Sequence, residues 1–305
     1  MNARPVNARP GPAVRAAGDA DMPAVRRIAH RFGLLGGWPG GSDFLDAERA
    51  FGELLVATEG GAAEGEGAEG EGAVGFGGTL RRGGLTHLGD LFVLPEHQSG
   101  GVGRALLAGL LAAPGPKVTF ASSDARAVAL YVRHGLRPWT PLLYLSGPLA
   151  PLPGGAVRPA SAREVAGEVA GADARASGGA RPATLAWYAA QPGVSAHVTP
   201  GGSYAFARRA GEDVVIGPAG GDTPHGCARA VLGALAAAWQ TARETARQTG
   251  GQVTGAIGKV AVPGTSPLVP ALLEAGWRIT DTDTLMAGDD ALVRPDRYAP
   301  HPDLG

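Results

Sequence analysis

"LPEHQSGGVGRALL", residues 94–107, sets Gly100, Gly101 and Gly103 directly before a Leu-rich segment with the pattern of a helix. Inside a helix, glycine costs about 1 kcal/mol relative to alanine, so a helix opened this way needs a compensating reason. The first backbone N–H groups of a helix have no partner within it, and the helix dipole is positive there. A backbone stripped of side chains lets an anion reach those groups, and the strand-like Leu91-Phe92-Val93 just upstream completes a strand–turn–helix device suited to a pyrophosphate. A P-loop requires Lys and Ser/Thr after its glycines, where Arg104 stands here. A dinucleotide-binding loop requires a third glycine where Leu106 stands. Neither pattern fits.

Outward from the loop, the first half reads as a strand near Val14, helices near 20–32 and 43–53, and three successive strands, "LLVAT", "AVGFGGTL" and "HLGDLFV". A helix at 102–113, the strand "KVTFAS", the helix "ARAVALYVRHG" and a last strand pair across "RPWTPLLYLSG" follow. Hairpin strands passing into βαβ units predict an α/β fold of mixed α+β character. The pattern then recurs. "AVRAAGDADMPAVRRIA" from residue 13 resembles "AVRPASAREVAGEVAG" from residue 156, and "ALYVRHGLRPW" from 129 resembles "PALLEAGWRIT" from 270. Two matches at nearly one offset predict a duplicated domain. The expected organisation is a lead-in at 1–11, a first domain at 12–146, a linker at 147–155, a second domain at 156–290 and a tail at 291–305. The segment "EGGAAEGEGAEGEGA", residues 59–73, has no counterpart in the second half and reads as a solvated hairpin loop.

Composition narrows the function classes. The 305 residues are 44% apolar with a formal net charge of −1 and only 6% aromatics, which fits neither a nucleic-acid partner nor base stacking. A single cysteine, Cys227, excludes an intramolecular disulfide and a cysteine-based metal site, and its helix-like apolar surroundings suggest a buried structural thiol. No metal is expected. The N-terminus lacks the apolar core of a signal peptide, and apolar runs stop short of the ~20 residues that span a bilayer. A cytoplasmic protein without membrane contact is the expectation.

The spacing Gln98-x-x-Gly101-x-Gly103 resembles the acyl-CoA pyrophosphate loop of the GNAT superfamily of N-acetyltransferases. "SDARAVALYVRHGLRPW", residues 123–139, resembles that family's second signature, with Asp124 where Asn is common and Leu136 where Phe is. In the second half the loop equivalent is "TPHGCA", residues 223–228. Thr223 replaces Gln98, Ala228 replaces Gly103, and Leu272 lies at the Tyr131 position. The resemblance therefore implies two tandem GNAT-like domains, the first intact and the second degenerate.

It also implies roles. Acetyl-CoA is the co-substrate, with Leu91, Phe92 and Val93 pairing with its pantetheine arm and the Val93 amide facing the thioester carbonyl. Gln98, Ser99, Gly100, Gly101, Val102, Gly103 and Arg104 hold the pyrophosphate, and Asp124 belongs to the same cofactor-binding set. Tyr131 is the general acid for the leaving thiolate, since a phenol with a reference pKa of ~10 can donate at neutral pH. Asp90 is the general base, directly or through water, with His87 the alternative. His134 precedes the helix-ending Gly135 and is expected to meet the last carbonyls of that helix. Trp38, Asp43 and Asp46 either frame a cationic amine or serve as packing anchor and helix cap. The acceptor is a small-molecule or peptide amine, the chain a monomer, and a non-catalytic acyl-CoA sensor the alternative function.

Overall fold

A computed structural model describes residues 11–38, 40–59, 72–150, 152, 154–250, 255–288 and 292–305. The expected lead-in, apart from Gly11, and most of the Glu/Gly/Ala segment lie outside the described residues. The first half comprises β1 (Ala13–Ala16), α1 (Met22–Arg31), α2 (Phe44–Phe51), β2 (Gly52–Thr58), β3 (Ala73–Arg82), β4 (Leu85–Val93), α3 (Val102–Leu110), β5 (Lys117–Ala121), α4 (Ala125–Arg133) and β6 (Arg137–Pro148). The second half comprises β7 (Arg158–Pro159), α5 (Ala162–Glu164), α6 (Ala170–Ser177), α7 (Pro182–Ala189), β8 (Val194–Val198), β9 (Tyr204–Ala210), β10 (Asp213–Gly220), α8 (Pro224–Gln248), β11 (Ile257–Pro263), α9 (Leu268–Glu274), β12 (Arg278–Ala287) and β13 (Tyr298–Ala299).

Local chemistry explains the helices that border the site. In α1, Val25, Ile28 and Ala29 recur at helical spacing and are buried on one face. Helix α2 starts at Asp43, whose side chain accepts from the N–H groups of Leu45 and Asp46, while the Asp46 carboxylate accepts from the Asp43 N–H at 3.0 Å. Such a capping box is worth about 1 kcal/mol. Arg26 of α1 bridges to both acids, at 2.9 Å to Asp43 and 2.7 Å to Asp46, and so ties the two helices together.

The thirteen strands of the described residues join in one sheet, in the order β1-β2-β3-β4-β5-β12-β6-β11-β10-β9-β8-β7, with β13 on β10. Read from either edge, the order is the same succession, and it shows an exchange at the centre. β12, the last long strand of the second half, lies between β5 and β6; β6, the last strand of the first half, lies between β12 and β11. The strand pair expected across "RPWTPLLYLSG" is therefore corrected: it is one twelve-residue strand, β6. Pro138 and Pro141 suggest a turn in sequence, but the ladder absorbs them through a bulge at Trp139, because Leu285 pairs with Thr140 and Met286 with Pro138. The hairpin partner comes from the other half.

The core is shared as well. Trp38 and Phe44 of the first half join Leu185, Tyr188 and Phe206 of the second in one buried cluster, and Trp38 lies 6.1 Å from Trp187 and 6.3 Å from Tyr188, ring to ring. The chain beyond β12 is built into this region rather than trailing from it. Buried Arg181 pairs with Asp173 through Nε and Nη2 at 2.9 Å, receives support from the Tyr298 hydroxyl, which accepts at 2.7 Å, and donates through Nη1 to the carbonyls of Leu304 and Gly305 at 2.8 Å.

Candidate active site

β4 and β5 run parallel and pair only from Thr86 to Leu88. Where the pairing stops, the Thr119 hydroxyl donates to the Leu88 carbonyl at 2.9 Å. From Gly89 to Val93, β4 stays paired with β3 alone, apart from the bulged Gly89. The Leu94 N–H is given to Val74 O at 2.9 Å, so the alternation of a strand turns the preceding Val93 N–H away from β3 and toward the gap. The gap opens into a cleft of about 280 Å³ lined by Leu91, Val93, Gln98, Ser99, Gly101, Gly103, Arg104 and Asp124, with Arg126 and Arg133 beside them.

The glycines now have a geometric reason. Gly101 is the N-cap of α3 at φ 90°, a conformation that side chains disfavour; it offers no side-chain cap, and nothing lies within 4 Å of where a Cβ would stand. Ser99, just before, holds φ 65°, a local strain of the kind found where a backbone must present its amides. The Gln98 amide donates to Val93 O at 3.0 Å and accepts from Arg126 at 3.3 Å, so its side chain braces the loop against β4. Gly100 and Val102 are not in the cleft lining; the Val102 side chain is buried under α3. Asp124 caps α4 by accepting from the Arg126 N–H at 2.8 Å, and the Arg126 guanidinium holds its carboxyl down at about 2.

A second cavity of about 430 Å³ continues from the first past Val93 and Gln98. Asp90 and Tyr131 both line it. Tyr131 is 7% exposed, and its hydroxyl makes no hydrogen bond among the described residues. Burial, reinforced by Asp90, pushes this phenol up to about 12, so it stays protonated at neutral pH. Burial likewise pushes Asp90 up to about 7. Its neighbour Glu48, on α2, is fully buried, and its carboxyl sits over the bare backbone of Gly78 and Gly89, in space a Cβ at either would occupy. Burial first, then the charge of Asp90, drives Glu48 well above the usual carboxylate range.

One expectation is corrected. His87 does not reach the cavity: its ring packs 4.9 Å from Phe120 and beside Gly305, and burial followed by Arg82 drives its pKa far down. Of the two roles open to Asp43 and Asp46, the structure shows the helix cap: both serve α2 and Arg26. His134 is the C-cap of α4 and its backbone N–H donates to Tyr131 O at 3.0 Å, while the Arg137 guanidinium adds a bond to Val132 O at 3.2 Å. Cys227 is buried, and its thiol is pushed up to about 12, as an inert structural thiol requires.

Sequence reasoning missed four residues: Glu48, Tyr144, Asp283 and Asp303. The last three line the second cavity, with the Tyr144 hydroxyl donating to Asp283 at 2.8 Å and the Trp38 indole donating to Asp303 at 2.8 Å. Only Glu48 left a local signal, since it lies one helical turn from Phe44 on the buried face of α2.

The second half repeats the device and closes it. β10 and β11 are parallel and pair only from Val214 to Ile216. Beyond, where β4 has Gly89-Asp90, the chain has Gly217-Pro218, and the freed edge of β10 is occupied by β13, which pairs Ala299 with Ala219 and Tyr298 with Gly220. The start of α8 is capped internally, because the Thr223 hydroxyl accepts from the Gly226 N–H at 3.0 Å and Pro224 has no N–H to offer. The Ser203 hydroxyl fills the space over Gly226.

Residues 52–138 match the family model described as the acetyltransferase (GNAT) domain. No curated protein sequence matches the chain. Among solved structures, a Pyrococcus horikoshii protein assigned to the acetyltransferases is similar over 100% of this chain and 99% of its own, at TM-score 0.67 and 16% identity. A GCN5-related N-acetyltransferase from Sphaerobacter thermophilus is similar over 93% and 98%, at TM-score 0.55 and 15% identity. A tandem GNAT protein from the clavulanic acid biosynthesis pathway is similar over 93% and 100%, at TM-score 0.54 and 14% identity. Residues 52–138 are thus similar to a GNAT acetyltransferase domain, and the fold as a whole is the one these solved proteins share.

Proposed function

We propose that the protein transfers the acetyl group of acetyl-CoA to a primary amine, with the first half providing the chemistry. The observation that carries this reading is the continuity of three features: the free edge of β4, the bare start of α3 and the cavity holding Asp90 and Tyr131. The free backbone at Leu91–Val93 suits an extended pantetheine arm, and the unpaired amides around Gly101 with Arg104, Arg126 and Arg133 suit phosphates.

The Asp90 carboxylate takes a proton from the acceptor ammonium, and the freed nitrogen forms a bond to the acetyl carbon. The Val93 N–H supports the negative charge that grows on the carbonyl oxygen. As the carbon–sulfur bond breaks, Tyr131 gives its proton to the sulfur and regains one from the newly bonded nitrogen. The products are an N-acetyl amine and free thiol, and one proton leaves with Asp90. A base titrating near 7 and an acid well above it are matched to these tasks.

Calorimetric titration with acetyl-CoA, followed by turnover on a panel of amines, tests the reading. One site per chain and turnover lowered about a hundred-fold in Tyr131→Phe are expected. Binding without turnover on any amine would leave an acyl-CoA sensor, and absence of binding would remove the acyl-CoA reading altogether.

A further inference from the structure

The two connected cavities differ sharply in charge. The cleft beside α3 presents three arginines, Arg104, Arg126 and Arg133. Among the described residues, the inner cavity is lined by four aspartates, Asp90, Asp124, Asp283 and Asp303, and by no lysine, arginine or histidine. Asp124 is already neutralised by Arg126, whereas Asp283 and Asp303 receive only neutral donors, the Tyr144 hydroxyl and the Trp38 indole. The nearest basic groups to Asp303 do not discharge it. His301 accepts the Asp303 N–H through Nδ1 at 3.0 Å and is kept neutral by burial, and Arg208, stacked 4.1 Å over the Trp38 ring, attracts Asp303 by its charge but by less than burial opposes it.

Carboxylates held in a half-closed cavity without a cation are costly, and burial accordingly raises both Asp283 and Asp303 above their ordinary range. An incoming cation relieves that cost. The walls between these acids and Asp90 are apolar and aromatic, including Phe32, Phe44, Phe92 and Phe120. They suit an alkyl chain and can add cation–π attraction. Tyr131, whose hydroxyl makes no hydrogen bond among the described residues, lines the same space, which marks it as a binding volume rather than an acidic surface.

We propose that the acceptor is a dicationic amine: one nitrogen is acetylated beside Asp90, while a second, distal cation is held by Asp283 and Asp303. This rests on the acetyl-transfer reading of the same site. It gives the second half a defined task, since both acids reach the first half's site through the exchanged strand β12 and the segment after β13. The second half is then a specificity element for an active centre it does not itself contain.

The test compares diaminobutane with butylamine, diaminopentane with pentylamine, and longer α,ω-diamines with their monoamines. The readouts are kcat/KM with acetyl-CoA and, independently of turnover, calorimetric binding of each amine in the presence of CoA. The diamine of best length is expected to exceed its monoamine by at least about tenfold in both. The ratio should fall toward one in Asp283→Asn and Asp303→Asn, whose side-chain oxygens still accept from Tyr144 and Trp38 and so preserve the packing. Selective diamine binding without turnover would sustain this inference while removing the acetyl-transfer reading. Equal values for diamine and monoamine, or equal losses for both in the two variants, would overturn it.

Discussion

Both halves of this molecule part their central parallel strands at the same point, after Leu88 in the first and after Ile216 in the second. In the first half the freed strand edge stays open, and the helix beyond it begins on a bare, uncapped glycine. In the second half the same edge is taken by β13 and the helix start is satisfied by Thr223. An unpaired strand edge or helix start must find partners in protein, water or ligand. The contrast shows how one backbone plan becomes a ligand site or a structural joint, depending on whether the chain supplies those partners. Residues 298–303 act on both sides of the contrast, plugging one gap and walling the cavity beside the other.

The largest effect that sharpens this comparison falls on Asp90, whose counterpart in the second half is Pro218. Asp90→Asn should lower kcat by a hundred-fold or more, roughly the weight of a general base. In the unmutated protein, kcat/KM should fall as pH drops below about 7, because the raised Asp90 pKa leaves the base protonated there. A pH profile measured with an amine of fixed protonation state over that range checks the assignment, and a flat profile would reassign the base.

A paired substitution at the two helix starts comes next. Gly101→Val forces a side chain into a left-handed backbone at the open site and should raise KM for acetyl-CoA about ten- to a hundred-fold. Gly226→Val, which collides with Ser203 and Thr223, should lower the melting temperature by several degrees and leave acetyl-CoA affinity within about twofold. If the second substitution weakened acetyl-CoA binding as much as the first, the contrast between open and closed sites would fail.

The smallest effect concerns Glu48 and Asp90. Their folded-state pKa values are raised, so the folded protein holds protons that the unfolded chain releases near ~4. That contribution to stability is present at acid pH and is lost as pH rises through about 7. Melting temperature should therefore decline between roughly pH 5 and pH 8, and Glu48→Gln should flatten the decline. Thermal denaturation across that range measures it.

Local features of the sequence were legible because their causes are local. The loop at 98–104, the strand ahead of it, Tyr131 on its helix and Asp90 near the strand's end all follow from residue type and spacing. The repeat also announced that the second half copies the first. Glu48 was legible only as an acid on an apolar helix face, and its purpose needed the two glycines of neighbouring strands on which it rests. His87 shows the opposite failure: an imidazole three residues from Asp90 looks available in sequence, but tertiary packing buries it against Phe120 and Gly305, outside the cavity lining.

The sequence by itself determined most of the elements and the bare helix start, since periodicity, glycine spacing and capping residues act over a few positions. Tertiary structure alone decided that β6 and β12 change places, because a strand of given sequence can complete a hairpin at home or a ladder in the other half with the same hydrogen bonds. It alone decided that β13 closes the second gap and that Asp283 and Asp303 enter the first half's cavity. Those outcomes depend on which distant edges and faces meet, and contacts across more than a hundred residues leave no periodic trace in the chain.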